Sequence, residues 1–136
     1  MLEIGLYGLG RMGGNMARRL SRGGVQVHAL NRNFEVTQGL AAEEANITPC
    51  RSIAEMVNSL ASPRIVWLML PAGEATDTAI TELSALLAPG DLLVDGANGF
   101  YQEAMRRAEL LRGHGIHFAD VGVSGGIWGL ANGYCL

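Results

Sequence analysis

Lysine is missing from this chain: all 10 of its basic residues are arginine. This excludes a side-chain amine that sheds its proton near neutral pH to act as a general base. Cysteine is scarce, with only Cys50 and Cys135, and neither stands in a CxxC or Cys/His spacing. Two free thiols are expected, with neither a disulfide nor a metal site. Positive charge is never concentrated, since no basic run exceeds two residues and the net charge is −3. That argues against a nucleic-acid groove or a polybasic membrane patch. The longest apolar runs are strand-sized, and the N-terminus lacks the charged start, apolar stretch and small-residue cleavage site of a signal peptide. A soluble cytoplasmic protein is the expectation, without nucleic-acid or membrane partners.

What is present is 136 residues, 49% of them hydrophobic, enough for one globular domain with a sizeable core. The chain is organised around Leu2 to Arg32. An apolar strand (Leu2 to Tyr7) leads into the turn Gly8-Leu9-Gly10-Arg11-Met12-Gly13, and a helix from Arg11 to about Arg22 follows. Gly23-Gly24 then stops the helix before a second apolar strand, Val25 to Leu30. In this βαβ unit Gly8 allows the sharp turn, Gly10 removes a side chain that would hold a pyrophosphate off the backbone, and Gly13 lets helix and strand approach. The free amides opening the helix face an anion. Met12, Met16, Ala17 and Leu20 form the helix's apolar stripe. The context favours a dinucleotide site over a purely structural turn or a mononucleotide site. The second strand ends in Asn31-Arg32 rather than in an acidic residue, and an arginine there suits a 2′-phosphate, so NADP is expected.

Strand and helix signals keep alternating. Phe34 to Ala45 reads as a helix and Ile47-Thr48-Pro49-Cys50 as a short edge strand. Ser52 with Glu55 reads as a capping box for the helix that carries Ile53, Met56, Val57 and Leu60. Arg64 to Leu70 is an almost unbroken apolar run, as in a parallel strand buried on both faces. A helix over Thr76 to Leu87, a strand over Asp91 to Asp95, a helix over Tyr101 to Arg112 and a last short strand over His117 to Asp120 follow. There is no internal repeat and no low-complexity linker. The alternation implies an α/β fold of Rossmann type: a doubly wound, mainly parallel sheet with helices on both faces.

Three strand exits converge on one crevice in such a sheet. Besides the glycine turn, Leu70-Pro71-Ala72 would line the path beside the ribose or nicotinamide, and Asn98 offers a donor and an acceptor on a Gly-Ala-Asn-Gly turn. Asparagine is also simply a good turn former, and both readings stand. Ser124-Gly125-Gly126 supplies a hydroxyl and unobstructed amides suited to a carboxylate or phosphate, or else a loop before Ile127 and Trp128. His28 reads as a core or sheet-surface histidine. His114 and His117 flank a turn without a Ser or Asp partner for a triad. Glu43 and Glu44 read as a solvated face.

Several of these stretches look familiar together. Leu9 to Ala17, Asn31-Arg32, Asp95-Gly96-Ala97-Asn98 and above all the run from Asp120 through Val123-Ser124-Gly125-Gly126-Ile127-Trp128-Gly129-Leu130 to Cys135 resemble the decarboxylating 6-phosphogluconate dehydrogenases in their shorter bacterial form. These belong to the β-hydroxyacid dehydrogenase superfamily. The resemblance implies that Gly8, Leu9, Gly10, Arg11, Met12 and Gly13 bind the cofactor pyrophosphate, and that Asn31, Arg32 and Asn33 surround the adenosine 2′ position. It implies that Leu70, Pro71 and Ala72 border the cofactor, that Asn98 touches nicotinamide and substrate, and that Ser124, Gly125 and Gly126 hold the sugar acid. Asn33 stands where NADP-using relatives commonly carry Ser or Thr, so NAD is kept as the alternative.

The activity implied is oxidative decarboxylation of 6-phosphogluconate to ribulose 5-phosphate by a homo-oligomeric enzyme. Its lysine base and glutamate acid belong to an all-helical domain that follows the one here. Residues 1–136 then form the cofactor-binding domain, with no catalytic acid or base of their own and Asn98 as a positioning residue. The alternatives are another β-hydroxyacid dehydrogenase, of 3-hydroxyisobutyrate or tartronate semialdehyde type, and a dinucleotide-binding module without catalysis.

Overall fold

Six parallel strands form one sheet in the order β3-β2-β1-β4-β5-β6. A computed structural model describes the backbone of residues 1–136 and every side chain except that of Ile127. The strands are β1 (Glu3–Tyr7), β2 (Gln26–Leu30), β3 (Ile47–Cys50), β4 (Ile65–Leu68), β5 (Leu92–Asp95) and β6 (His117–Asp120). Between them run α1 (Arg11–Arg22), α2 (Phe34–Glu43), α3 (Ile53–Ser59), α4 (Glu74–Leu86) and α5 (Tyr101–Arg112). After β6 come a short 3-10 turn, Gly126–Trp128, and α6 (Gly129–Asn132). The order reverses between β1 and β4, which opens the crevice where open α/β sheets bind ligands.

The alternation, the parallel pairing and the edge position of β3 agree with the sequence reading, and α1 and α5 have the expected bounds. The capping box forms with a shift: Ser52 Oγ accepts from Glu55 N at 3.1 Å, while the Glu55 carboxylate takes the N–H of Arg51 rather than that of Ser52. Other bounds differ. The helix read to Ala45 ends at Glu43, and α4 begins at Glu74, before the expected Thr76. Thr76 is buried and its hydroxyl donates to Pro71 O at 2.8 Å, fixing the bend between β4 and α4.

Two apolar layers flank the sheet. One joins Ile53, Met56 and Val57 of α3, Ile80 and Leu83 of α4 and Leu111 of α5 to Val66, Leu68 and Leu93; the other joins Ala17 and Leu40 to Leu6, Val27, Ala29 and Ile47. The expectation that Arg64 to Leu70 is a strand buried on both faces needs correcting. β4 spans only Ile65–Leu68, with Val66 and Leu68 buried but Ile65 and Trp67 half-buried. Helices α1 and α2 cross between β1, β2 and β3, and Tyr134 and Leu136 share a cavity with Ile4 of β1 and Trp67 of β4.

The solvated-face reading of Glu43 and Glu44 holds for the first and not for the second. Glu43 is exposed, as read, while Glu44 is buried, and both pair with arginines of α1. Arg18 meets Glu43 with two bonds, at 2.9 and 3.0 Å, and the buried Glu44 accepts from Arg22 Nε at 2.9 Å. His28 is a buried sheet histidine with Nε2 3.5 Å from Glu3 Oε1. Cys50 and Cys135 are free thiols, the first buried and the second exposed.

Candidate functional site

Gly8 leaves β1 with φ +104°, and a Cβ there would stand 2.4 Å from Met69 O. Gly13 is tighter still: its Cβ would stand 1.9 Å from Gly8 O. Only the absence of a side chain at these two positions lets α1 start against the ends of β1 and β4. At Gly10 a Cβ would meet nothing within 4 Å, because that position faces open space. The first bond of the helix ladder runs from Gly14 N to Gly10 O at 2.8 Å, so the preceding amides are turned outward. No acidic residue stands in this first turn, and Arg19 and Arg22 stand in the last, so the helix field favours an anion at its start.

A cleft of about 760 Å³ opens over these amides. Gly8, Leu9, Gly10, Arg11, Met12 and Gly13 line it, together with Asn31, Arg32, Leu70, Pro71 and Asn98. Asn31 has a role that sequence reasoning missed, since its Oδ1 accepts from Leu9 N at 2.9 Å and ties the glycine turn to the end of β2. Asn33 does not line the cleft. Its Oδ1 caps α2 by accepting from Glu35 N at 3.1 Å, and its carbonyl accepts from the Asn31 amide. Ala72 lies just outside, in a second cavity of about 480 Å³ that shares Asn98 with the cleft.

Sequence reasoning also missed one wall. Ala75, Thr78, Ala79 and Glu82 of α4, with Ile53, also line the cleft. Their spacing of three and four residues is a helix-face signal, but the small and polar residues hid it among ordinary surface positions.

Asn98 sits in the left-handed region at φ +58°, the only non-glycine residue with positive φ among those described. Its turn hangs from Asp95, whose Oδ1 accepts from Ala97 N at 2.9 Å. Asp95 is fully buried, and its other oxygen meets Arg107 Nη1 at 3.0 Å; the same guanidinium reaches Asp77 of α4 at 2.9 Å. Arg107 is itself only 4% exposed. This buried ion pair between β5, α4 and α5 was not expected from sequence. An arginine on the Ala104/Ala108/Leu111 side of α5 was the available signal. Asp120 lies level with Asp95 on β6, and although its side chain is exposed, partial desolvation together with the Asp95 charge pushes its carboxyl above the ordinary range.

Ser124, Gly125 and Gly126 do not line the cleft. They adjoin it through Asn98, whose amide is 3.5 Å from Val123 O. Ser124 forms an antiparallel bridge with Cys135 through backbone bonds of 2.9 and 2.8 Å. Gly129 accommodates the Tyr134 ring, and Arg19 of α1 holds Leu130 O at 3.1 Å. The segment is an exposed loop, as the blander reading has it, pinned by the Ser124–Cys135 bridge and by Arg19 of α1. No group of three or more His, Cys, Asp or Glu among the described residues could hold a metal ion. No helix among them is long and apolar enough to cross a membrane.

The family described as the NAD binding domain of 6-phosphogluconate dehydrogenase matches residues 3–136. The chain belongs to that family. Decarboxylating 6-phosphogluconate dehydrogenase from Treponema pallidum is 42% identical over 134 residues, covering 96% of this chain and 28% of the relative. The protein of the same description from Staphylococcus aureus is 43% identical over 133 residues, again 96% and 28%. The chain thus spans little more than a quarter of the relatives it matches. Among solved structures, Plasmodium falciparum 6-phosphogluconate dehydrogenase, studied apo, with NADP+ and with 6-phosphogluconate, superposes with a TM-score of 0.89 at 33% identity. It covers 97% of this chain and 29% of that one. Mycobacterium tuberculosis 3-hydroxyisobutyrate dehydrogenase superposes at 0.82 and 30% identity, covering 95% and 43%. As a member of the 6-phosphogluconate dehydrogenase NAD-binding family, the chain is a Rossmann domain whose crevice lies at the β1/β4 switch point.

Proposed function

We propose that this chain is the cofactor domain of a decarboxylating 6-phosphogluconate dehydrogenase that uses NADP. The observation that carries this is the cleft itself. It brings the helix-start amides of a glycine-rich turn, Arg32 and Asn98 to one cleft within a domain of that family. The helix-start amides of Arg11, Met12 and Gly13, ahead of the first ladder bond, bind the pyrophosphate, and Arg32 neutralises the 2′-phosphate. Leu70 and Pro71 close the path toward the nicotinamide, with Ala72 next to them. Asn98, with one donor and one acceptor face, orients the nicotinamide carboxamide and the substrate hydroxyl.

Ser124, Gly125 and Gly126 hold the sugar acid from the adjoining loop. A bound nicotinamide supplies the hydride acceptor. The chain brings no lysine and no histidine to the cleft for proton transfer. The resemblance assigns that work to a following all-helical domain, which also builds most of a homo-oligomer interface, in a cytoplasmic enzyme. The higher superposition on the 6-phosphogluconate enzyme than on the 3-hydroxyisobutyrate enzyme favours the former substrate.

A fluorescence titration with NADPH and NADH at fixed salt, repeated on Arg32→Ala, tests the cofactor assignment. Loss of a charge-assisted contact should cost about 1.5 to 3 kcal/mol for NADPH, roughly 10- to 100-fold, and little for NADH. Equal binding of both, insensitive to Arg32, would move the assignment to NAD.

A further inference from the structure

The arginines divide by what they touch. Arg18, Arg22, Arg64, Arg106, Arg107 and Arg112 meet carboxylates. Arg19 donates to Leu130 O. Arg11, Arg32 and Arg51 form no ion pair among the described residues. These three follow the carboxyl ends of β1, β2 and β3, the edge of the sheet where the adenosine half of a dinucleotide lies in a Rossmann fold. Arg11 and Arg32 already belong to the cleft. Arg51 has no role so far.

Its position is set by pairing. Leu30 of β2 is level with Cys50 of β3, so the next residues, Asn31 and Arg51, leave the sheet side by side, about 4.8 Å apart. Arg51 is thus adjacent to the Asn31-Arg32 pair. Its backbone is held by a bond from its N–H to the Glu55 carboxylate, and Ser52 behind it caps α3. The side chain does not fold onto that carboxylate. Its guanidinium carbon lies 3.9 Å over the centroid of Phe34, the first residue of α2 and two residues past Arg32. Stacking on an aromatic face fixes the guanidinium plane while its in-plane N–H groups stay available. Ile53, two residues further on, lines the cleft, so the loop after β3 borders it.

We infer that Arg51 is a second arginine of the adenosine-phosphate site, held by Phe34 beside Arg32, and that it helps select a dinucleotide carrying a 2′-phosphate. This rests on the dinucleotide reading of the cleft. A phosphate monoester carries up to two negative charges, and two arginines on adjacent strand ends match it where one leaves charge unneutralised. A ribose hydroxyl gains nothing from the second cation, so Arg51 discriminates between cofactors rather than strengthening both.

The test is direct titration of the chain with NADPH, NADH and 2′,5′-ADP, in wild type, Arg51→Ala, Phe34→Leu and Arg32→Ala. Arg51→Ala should weaken NADPH and 2′,5′-ADP by about 5- to 30-fold and leave NADH unchanged. Phe34→Leu should do the same to a smaller degree, because it releases the guanidinium without removing it. If Arg51→Ala binds NADPH as wild type does while Arg32→Ala is weakened, the cofactor reading stands and the role of Arg51 is overturned. Equal losses for NADPH and NADH in Arg51→Ala would also overturn it, since they would report a disturbed loop rather than phosphate recognition. If the wild-type chain binds none of the three ligands, the dinucleotide reading fails and this inference with it.

Discussion

Arg107→Met should destabilise the domain by about 3 to 5 kcal/mol, because it leaves a carboxylate charged where water cannot reach it. Asp95 is the group left behind: its side chain is 1% exposed, and the guanidinium 3.0 Å away is its only cation among the described residues. The N–H of Ala97, 2.9 Å from its other oxygen, remains and offsets only part of the charge. The second partner, Asp77, is 41% exposed and is rescued by solvent, so its lost bridge accounts for less than about 1 kcal/mol. Methionine keeps most of the stem volume, which limits any cavity contribution.

For a domain of this size the loss corresponds to a fall in Tm of roughly 10 to 20 °C. Urea unfolding followed by the fluorescence of the half-buried Trp67 reads it directly. The double variant Asp95→Asn/Arg107→Met carries the decisive comparison, since with no buried charge remaining most of the loss should be recovered. A single-variant loss under about 1 kcal/mol, or a double variant no more stable than Arg107→Met, would refute the argument. The same substitution should also push the Asp120 carboxyl further up. Partial desolvation and Asp95 raise it already, and Arg107 is the charge that opposes them.

Gly13→Ala and Gly10→Ala should separate folding from binding. A methyl at position 13 would stand 1.9 Å from Gly8 O, costing about 1 to 3 kcal/mol or more in thermal unfolding and abolishing NADPH binding. A methyl at position 10 meets nothing, so that variant should melt within about 0.5 kcal/mol of wild type yet lose affinity in the titration. Asp91 should contribute acid sensitivity: burial disfavours its charged form, but the amides of Ala88 and Arg64 and the Arg64 guanidinium outweigh that and hold its carboxyl below 3.8. With the folded value depressed, this stabilisation is present above the unfolded value and is lost as pH falls through the folded one. Asp91→Asn should therefore be less stable near neutrality and lose less of its remaining stability on acidification, as read by urea midpoints. Burial pushes the Cys50 thiol up to about 11, while Cys135 is exposed. Iodoacetamide at pH 8 should label one thiol in the native chain and two after denaturation, counted by mass.

The sequence by itself determined the alternation of strands and helices, the bounds of α1 and α5, the edge strand with Pro49, and the glycine turn. These depend on interactions within a few residues: caps, periodicity, and glycines whose spacing meets a steric demand of the βα junction. The resemblance added a family and a list of contacts that local chemistry could not supply.

Tertiary structure decided what depends on which elements become neighbours. Asn31 holding Leu9, the Arg18 and Arg22 clamps on Glu43 and Glu44, and Arg107 inside the Asp95–Asp77 pair join residues 12 to 30 positions apart. No periodic pattern encodes such pairs. The α4 wall of the cleft depended on where Thr76 fixes the bend after β4, and Arg51 came to stack on Phe34 because β3 pairs with β2 in one register. A charge reads as solvated in a linear chain. It becomes a clamp, a buried brace or a free cation only when the strand order sets what lies across from it.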